Sequence, residues 1–448
     1  MTAIEHDIRR NPLTGANAAA AASYAEGLLR VNLFIGDPVA SADAAIAEAP
    51  NFTMAHALRA WLFLLSTEAQ ARTEAHASWK VARDLPMTAQ EAGHIAAIGH
   101  LLSGQWHRAA RVLEDVTITH PHDLLALQVG HQLDFFTGNA RMLRDRIAQA
   151  RPAWSPETPG WHTLLGMHAF GLEEMGDYAA AEAAGREAVG LERRDAWAQH
   201  AVAHVLEMQG RTEDGIAWMT ADSAAWSEDN FFAVHNWWHV ALYHLETGDI
   251  AEVLRLFDGP IYGARSPIMI DMLDAAALLW RLRLRNTDVG DRWQPLAEAF
   301  APAAGAGNYA FNDLHATMAF VGAGHRDLAE QVLAAQDEAM RRDDDNAGFT
   351  REVGNAATRA IIAFGAERYD EAVTLLRPVR GIASRFGGSH AQRDVLDLTL
   401  IEAALRAGQH DLARALAAGR LAAKPDSPLA NLFARRAAAG LAQEGRPV

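Results

Sequence analysis

The sequence predicts an all-α protein of tetratricopeptide-like helical repeats, forming a solenoid curled around a central cavity. Alanine, the residue with the highest helix propensity, is abundant throughout, for example in the run from Ala18 to Ala22. Runs of valine, isoleucine and threonine, which are typical of strands, are scarce. Short glycine-containing turns recur at a spacing close to the tetratricopeptide repeat length.

Eight turn glycines mark the predicted repeats, because each follows a helical apolar pattern and precedes an alanine-rich segment. They are Gly36, Gly104, Gly138, Gly176, Gly210, Gly248, Gly324 and Gly408. Successive glycines are 68, 34, 38, 34, 38, 76 and 84 residues apart. These spacings are near one or two units of the roughly 34-residue period. Such units bury their apolar faces only against their neighbours, so one continuous stack is expected.

One stretch interrupts the repeat pattern. Residues 258–310 contain Gly-Pro, Ser-Pro and Gly-Ala-Gly segments, which are typical of turns and loops. We therefore predict an N-terminal helical-repeat array over residues 1–257, an irregular helical insert over 258–310 and a C-terminal array over 311–448, all within one continuous solenoid.

Composition excludes several function classes. The chain has 448 residues, a formal net charge of −16 and no cysteine. Disulfides, thiolate metal sites and a cysteine nucleophile are thereby excluded. With no basic tract of the kind that contacts phosphates, nucleic acid is not an expected partner.

The N-terminus lacks the basic and then apolar layout of a signal peptide. No apolar stretch approaches the roughly 20 residues of a membrane-spanning helix. We expect a cytoplasmic protein that does not bind membranes. Gly305 and Gly307 resemble part of a dinucleotide fingerprint, but no strand precedes them, so we predict a loop and no flavin or nicotinamide motif.

Two histidine pairs are the most unusual chemical feature. His200 and His204 are four residues apart, as are His235 and His239. Side chains at i and i+4 share one face of a helix, so each pair should present two imidazoles together. Glu207 extends the first pair along the same face.

These residues also occupy equivalent positions in successive repeats. Trp197 lies three residues before His200, on the stripe that continues to His204 and Glu207. This stripe generally faces the concave groove of tetratricopeptide arrays. The next unit places His235 and Trp238 on it, with His239 beside it. Histidines recur in other first helices, namely His94, His131, His168 and His315.

Three interpretations of the histidines remain open. They could bind a divalent metal such as zinc, with His200, His204 and His235 as ligands and Glu207 as a fourth ligand or base, because a catalytic zinc site uses three protein ligands. They could act as metal-free acid–base or ligand-binding groups. They could also be structural, bonded to neighbouring backbone or side chains. The glutamate that follows the first histidine in a zincin helix is absent from both pairs.

A helix after Pro267 is apolar nearly all round but carries Asp271 and Asp274 on one face. A buried carboxylate needs a cation, a hydrogen-bond donor or a raised pKa. Arg281, Arg283 or a histidine could be the partner, and a structural ion pair is the simpler alternative.

Two further segments are weaker candidates. Asp313 and Ser389 are predicted helix N-caps. The double glycine before Ser389 suggests a close approach of the backbone to another group. Adjacency of Ser389 and His390 does not indicate a catalytic triad, because triads form in space.

Several motifs resemble the tetratricopeptide repeat protein 38 family, also called StaR-like. They are HAVAHVLEMQGR from His200, FAVHNWWHVALYH from Phe232, GSHAQRD from Gly388, HPHD from His120, GMHAFGLEE from Gly166 and DLHATMA from Asp313. The likeness covers roughly residues 85–410. It implies a mostly helical repeat protein and leaves the chemistry open.

Our leading hypothesis is a small, partly aromatic organic ligand in the central cavity, because Trp197 and Trp238 can stack on aromatic groups. The expected catalytic residues are His200, His204, Glu207, His235 and Asp274. The expected ligand-binding residues are His168, Trp197, Trp238, His239, Asp271 and His315. Hydrolysis or proton transfer would be the reaction, with or without a metal. The competing hypothesis is a non-enzymatic adaptor that binds a peptide segment of a protein partner, and homo-oligomerisation is left open.

Overall fold

The computed structural model describes residues 5–443, most of which are helical. Residues 1–4 and 444–448 lie outside the described residues. The first four belong to the N-terminal segment that lacks the layout of a signal peptide, and the last five end the predicted C-terminal array. Among residues 5–443, no helix combines the length and apolar character needed to cross a membrane.

The α-helices are, in chain order, α1 (Ala18–Leu33), α2 (Pro38–Glu48), α3 (Thr53–Leu65), α4 (Ala71–Ala82), α5 (Ala89–Leu102), α6 (Trp106–Thr119), α7 (Leu124–Phe136), α8 (Ala140–Ala150), α9 (Trp161–Glu174), α10 (Tyr178–Leu191), α11 (Ala196–Met208), α12 (Thr212–Thr220), α13 (Ser223–Ser227), α14 (Ala233–Thr247), α15 (Ile250–Leu256), α16 (Met269–Leu284), α17 (Trp293–Phe300), α18 (Ala310–Ala323), α19 (Arg326–Ala339), α20 (Asp345–Phe349), α21 (Asn355–Gly365), α22 (Tyr369–Val379), α23 (His390–Arg406), α24 (His410–Ala423) and α25 (Pro428–Gln443).

Shorter elements complete the described chain. Strands β1 (Glu5–His6) and β2 (Pro12–Leu13) pair antiparallel. Short 3-10 helices occur at Arg151–Ala153, Gly290–Arg292, Ala301–Ala303 and Arg380–Phe386, and π-helical turns at Phe257–Ile261 and Thr350–Gly354. This all-α architecture of successive helix pairs confirms the predicted fold class.

All eight predicted turn glycines lie between two helices and have positive φ, from 58° to 84°. Glycine enters this left-handed region without the steric cost of a Cβ, so it ends the first helix of a pair. In three turns the next residue then caps the second helix: Asp37, Asn139 and Asp249 each accept a backbone N–H with the side chain. The glycine pattern therefore predicted these eight turns correctly.

Three further turns have a residue other than glycine in the left-handed region. Thr67 joins α3 to α4 with φ 58°, Asn286 joins α16 to α17 with φ 57°, and Glu367 joins α21 to α22 with φ 61°. They divide the three long spacings of 68, 76 and 84 residues. A helix pair, α16 and α17, thus lies inside the stretch predicted to be an irregular insert.

By internal contacts the chain divides into two compact units. The first unit contains residues 1–205 and 222–233, and the second contains 206–221 and 234–448. These divisions differ from the predicted boundaries at 257 and 310, which remain a prediction.

In the first unit, consecutive helices from α1 to α10 contact one another, α3 also contacts α5 and α7, and α7 contacts α9. Residues 222–233 belong to this unit through backbone pairing. Ile35 and Asn230 form a β-bridge. The Phe231 N–H donates to the Phe34 carbonyl at 2.8 Å, and the Gly36 N–H donates to the Asp229 carbonyl at 3.0 Å.

In the second unit, α16 contacts α17, α18 and α23, and a chain of pairwise contacts runs from α21 to α25. Its interior includes the fully buried rings of Trp238, Trp280 and Phe320. Helix α16 is therefore central to this unit, consistent with its apolar sequence on nearly all sides.

Close helix packing in the first unit predicts the effect of a single methyl group. A Cβ on Gly171 of α9 would lie 2.5 Å from the carbonyl oxygen of Leu143 in α8. Because backbone cannot yield as a flexible side chain does, Gly171→Ala should lower the free energy of unfolding by about 1–3 kcal/mol. The matched change Gly419→Ala meets nothing within 4 Å in α24. It should raise that free energy by about 0.5–1 kcal/mol, since alanine favours helix. Urea unfolding followed by circular dichroism measures both, and equal effects would contradict the prediction.

Candidate functional site

In the second unit, helix α14 carries two histidines that each face a carboxylate. The Nδ1 of His235 lies 2.8 Å from Oδ2 of Asp274, and both side chains are buried. The Nδ1 of His239 lies 3.2 Å from Oε2 of Glu207. We call these four residues the histidine–carboxylate pairs.

The helical spacing of four residues explains why the two pairs are adjacent. The rings of His235 and His239 have centroids 4.9 Å apart and are nearly perpendicular, at 87°. Trp238 stacks on His235 at 5.4 Å with an interplanar angle of 19°. The guanidinium of Arg281 lies 5.2 Å from the centroid of the Trp238 ring, within cation–π range.

Glu207 also lies near a cation. Its Oε1 is 3.9 Å from Nζ of Lys424. Burial raises the pKa of Glu207, but the hydrogen bond to His239 and the charge of Lys424 outweigh it and lower the pKa overall. Burial also lowers the pKa of His239, against the opposing hydrogen bond to Glu207. The second pair is therefore a carboxylate beside a neutral imidazole at neutral pH.

Helix α16 is almost entirely buried, as its sequence predicted. A histidine, one of the partners considered for its carboxylates, pairs with Asp274. Arg281 instead donates to the backbone carbonyls of Ala277 at 3.2 Å and Ala391 at 2.6 Å. Burial, with Asp274 nearby, raises the pKa of Asp271 to about 6, although a hydrogen bond with Ser266 opposes the shift.

A small cavity lies beside the second pair. Its lining residues include Glu207, Tyr243, Lys424 and Ser427, and its volume is about 30 Å³. That volume has room for about two water molecules. The polar lining supplies partners for such water.

In the first unit, the other two histidines lie among aromatic rings. His200 and His204 have centroids 4.4 Å apart on successive turns of α11. The ring of Phe170 stacks on His200 at 5.3 Å and meets His204 edge-on at 5.3 Å. Trp197 contacts both Phe170, at 4.9 Å, and His200, at 5.0 Å.

Two carboxylates that the sequence analysis did not propose lie near His204. Glu173 and Glu174 end helix α9 and are buried, and one oxygen of Glu173 is 3.7 Å from Nδ1 of His204. One donor atom from each of the three residues lies within 4.8 Å of the others. Two glutamates at the end of a helix that is buried along most of its length were the available signal.

The predicted site residues divide between the units. The first unit holds His168, Trp197, His200 and His204, whereas the second holds Glu207, His235, Trp238, His239, Asp271, Asp274 and His315. All are buried except Glu207, whose side chain is 14% exposed. The metal set of His200, His204 and His235 includes residues from both units, so it remains a prediction.

The two remaining predicted ligand-binding histidines, His168 and His315, are both buried. In the first unit, burial lowers the pKa of His168, and the charges of Arg151 and Arg144 contribute. In the second unit, Nδ1 of His315 is 2.8 Å from the carbonyl of Phe311. Burial lowers the pKa of His315 to about 4, so its ring is neutral at neutral pH.

Tertiary contacts corrected two local expectations. Asp313 is not an N-cap, because α18 begins at Ala310, whose N–H donates to the side chain of Asn346 at 2.9 Å. Trp238, which was expected on the groove-facing stripe, is fully buried, whereas the neighbouring Trp237 is only partly buried.

The expectations around Ser389 were correct. Ser389 caps α23 in a capping box with Gln392. The preceding Gly388 has φ of 80°, and a Cβ there would lie 2.5 Å from the ring of Phe311. This contact is the close approach that the double glycine suggested.

No model of a known protein family matches the chain. Membership of the tetratricopeptide repeat protein 38 family therefore remains a proposal. Among solved structures, the chain is similar to one described as the crystal structure of the yeast Tom70, with 13% sequence identity and a TM-score of 0.33. The alignment covers 95% of this chain and 88% of that chain. A likeness at this level carries no information about function.

Proposed function

We propose that the second unit binds a small organic molecule and transfers protons at the histidine–carboxylate pairs. The observation that carries the proposal is the 2.8 Å hydrogen bond between buried His235 and Asp274. A carboxylate that accepts from Nδ1–H holds the imidazole in one tautomer and orientation. Proton exchange with a substrate would then take place at Nε2.

Asp274 also favours the charged imidazole that forms after proton uptake, as the orienting carboxylate of a catalytic triad does. His235 is thus the proposed general acid–base, and Asp274 its positioning residue. Charge and geometry both support this assignment, because the carboxylate lies on the buried helix α16 and is held in place by packing.

His239 and Glu207 form the second part of the proposed site. The neutral ring of His239 can accept a proton, and the ionised Glu207 borders the small cavity with room for water. Water activation for hydrolysis and proton transfer on the substrate itself are both compatible with this arrangement. A metal held by His200, His204 and His235 stays part of the proposal as a cofactor to be tested.

Turnover by a His235→Gln variant tests the proposal. Purified protein is incubated with a mixture of small metabolites, and substrate loss and product formation are followed by mass spectrometry. We expect the variant to be at least about 100-fold slower than wild type, because general acid–base catalysis contributes at that level. Asp274→Asn should also slow the reaction while binding is retained. His76→Gln, an exposed histidine in α4, is the matched control and should be unaffected.

Metal analysis of the same preparations separates the two versions of the mechanism. Stoichiometric metal in wild type that is lost in His200→Ala and His235→Ala would support the metal site. Turnover by metal-free wild-type protein would support the metal-free version. Turnover by His235→Gln at the wild-type rate would contradict the assignment of His235 as the general acid–base.

A non-enzymatic adaptor that binds a peptide segment is the second candidate function. The helical-repeat fold favours it, because stacked helix pairs present extended surfaces for protein partners. Absence of turnover by wild-type protein on every compound, together with binding of a peptide, would favour this alternative.

A further inference from the structure

The second unit contains a groove of about 440 Å³ that the histidine–carboxylate pairs do not line. We call it the leucine–arginine groove. Its apolar wall comes from five helices, and includes Leu245, Ile250, Leu284, Leu398, Leu432 and Phe433. Leu432 is 38% exposed, so part of this apolar wall faces solvent.

Three arginines also line the groove, and they differ in how their charge is balanced. Arg436 donates to both carboxylate oxygens of Glu402, at 2.6 and 3.0 Å. Within the described part of the chain, the hydrogen bonds of the Arg281 side chain go to the carbonyls of Ala277 and Ala391. The side chain of Arg285 has no hydrogen bond or ion pair with any residue from 5 to 443, and its Nη2 is buried. Among the described residues, no carboxylate forms a direct ion pair with Arg281 or Arg285, so the groove offers guanidinium groups that can still bind an anion.

An unpaired guanidinium in a partly dry environment is costly, because burial removes water without supplying an acceptor. Burial lowers the pKa of Arg285, and the nearby charge of Glu246 only partly opposes this shift. A planar guanidinium fork matches a carboxylate well. An anionic head group is thus the missing partner that the charge distribution favours.

We propose that the leucine–arginine groove binds an aliphatic carboxylic acid, with its carboxylate on Arg285 and its chain against the leucines. The volume lies within the range of small-molecule sites. Besides the three arginines, the described lining residues with polar side chains are Asn286 and Thr287, which leaves few partners for a peptide backbone along the leucine wall. A hydrocarbon chain needs no such partners, so an aliphatic acid fits this wall better than a peptide does.

Calorimetric titration of the full chain with decanoate tests the proposal. Wild type should bind one decanoate, and Arg285→Gln should weaken binding about 10-fold or more, because a charge-assisted hydrogen bond is lost. Arg285→Lys keeps the charge but not the fork, so it should fall between the two. Arg359→Gln, an exposed arginine in α21, is the matched control. Leu432→Ser should also weaken binding through the lost apolar contact.

Decan-1-ol distinguishes recognition of the carboxylate head group from nonspecific binding of the apolar chain. Wild type should bind decan-1-ol at least about 10-fold more weakly than decanoate, because the alcohol carries no charge. Arg285→Gln should bind decan-1-ol with the same affinity as wild type does. Wild-type affinity for decanoate in Arg285→Gln, with an unchanged melting temperature, would overturn the proposal. So would failure of wild type to bind decanoate while a leucine-rich acidic peptide binds. His235→Gln should bind decanoate normally, so this inference and the proposed acid–base function fail separately.

Discussion

Replacement of Asp134 by asparagine is expected to lower the free energy of unfolding by about 3–5 kcal/mol. Asp134 in α7 and Arg146 in α8 form a buried ion pair in the first unit, with side chains only 2% and 1% exposed. Arg146 donates to both carboxylate oxygens, at 2.8 and 3.2 Å, and to the carbonyl of Ala110 at 3.0 Å. Asparagine removes the negative charge and leaves a buried guanidinium without compensation.

The packing around Arg146 leaves little space for its guanidinium to move. A Cβ on Gly130 would lie 2.6 Å from the guanidinium carbon, so Arg146 occupies the space that this glycine leaves open. The guanidinium therefore packs closely against α7 at this glycine. Urea unfolding of Asp134→Asn against wild type measures the loss.

Two controls isolate the cause. Asp145 pairs with Arg141 on an exposed face of α8, and Asp145→Asn should cost less than about 1 kcal/mol. The double variant Asp134→Leu with Arg146→Met replaces both charges by apolar groups and should recover most of the loss. If Asp134→Asn costs no more than Asp145→Asn, the buried pair does not contribute as argued.

Substitution of Asp313 by asparagine is expected to stabilise the protein at alkaline pH. Asp313 is buried in α18 and accepts from Nε2 of Gln336 at 3.3 Å. Burial raises the pKa of Asp313 to about 7, although Gln336 and the charge of Arg342 oppose the shift. The folded chain therefore keeps a proton that the unfolded chain releases near pH 4.

The sign of the pH dependence follows from proton binding. Between pH 4 and pH 7 the folded state holds more protons at Asp313 than the unfolded state, so stability falls as pH rises. Each pH unit costs about 1.4 kcal/mol, which amounts to about 4 kcal/mol over three units. This contribution is present in full below pH 4 and is lost by about pH 7.

Asp313→Asn carries no titrating group and nearly matches the protonated carboxyl in shape. We expect it to exceed wild type by about 4 kcal/mol at pH 8 and to equal it at pH 4. Asp337→Asn removes an exposed carboxylate from α19 and should leave the pH profile of wild type unchanged. A constant difference between Asp313→Asn and wild type across this pH range would contradict the raised pKa.

Local sequence was a good guide to helices and turns. Glycine in the left-handed region is a backbone requirement that one residue carries, so all eight turn glycines could be identified without tertiary information. Thr67, Asn286 and Glu367 adopt the same conformation despite their side chains. Asparagine visits this region more readily than most residues but does not by itself mark a turn, and nothing in the identity of Thr67 or Glu367 distinguishes them from helical residues. Three repeat boundaries therefore escaped prediction.

The sequence also indicated which residues of the second unit could carry chemistry, but it did not indicate which histidine pairs with which carboxylate. The spacing of His235 and His239, and the two carboxylates of α16, followed from helical periodicity. Their partners did not, because Asp274 lies 39 residues from His235 and Glu207 lies 32 residues from His239. Lys424, Arg285 and Arg436 were missed because single cations on helices have no distinctive sequence pattern.

The sequence by itself determined the all-α class, the turn glycines and which histidines share a helix face, because these depend on residues within one or two turns of each other. Only the tertiary structure decided the partners of the buried charges, the replacement of a predicted Asp313 cap by Asn346, and the pairing of residues 222–233 with Phe34 and Gly36. Those contacts join residues far apart in the chain. Burial then sets their energetics, since removal of water makes each charge depend on the partner that folding supplies.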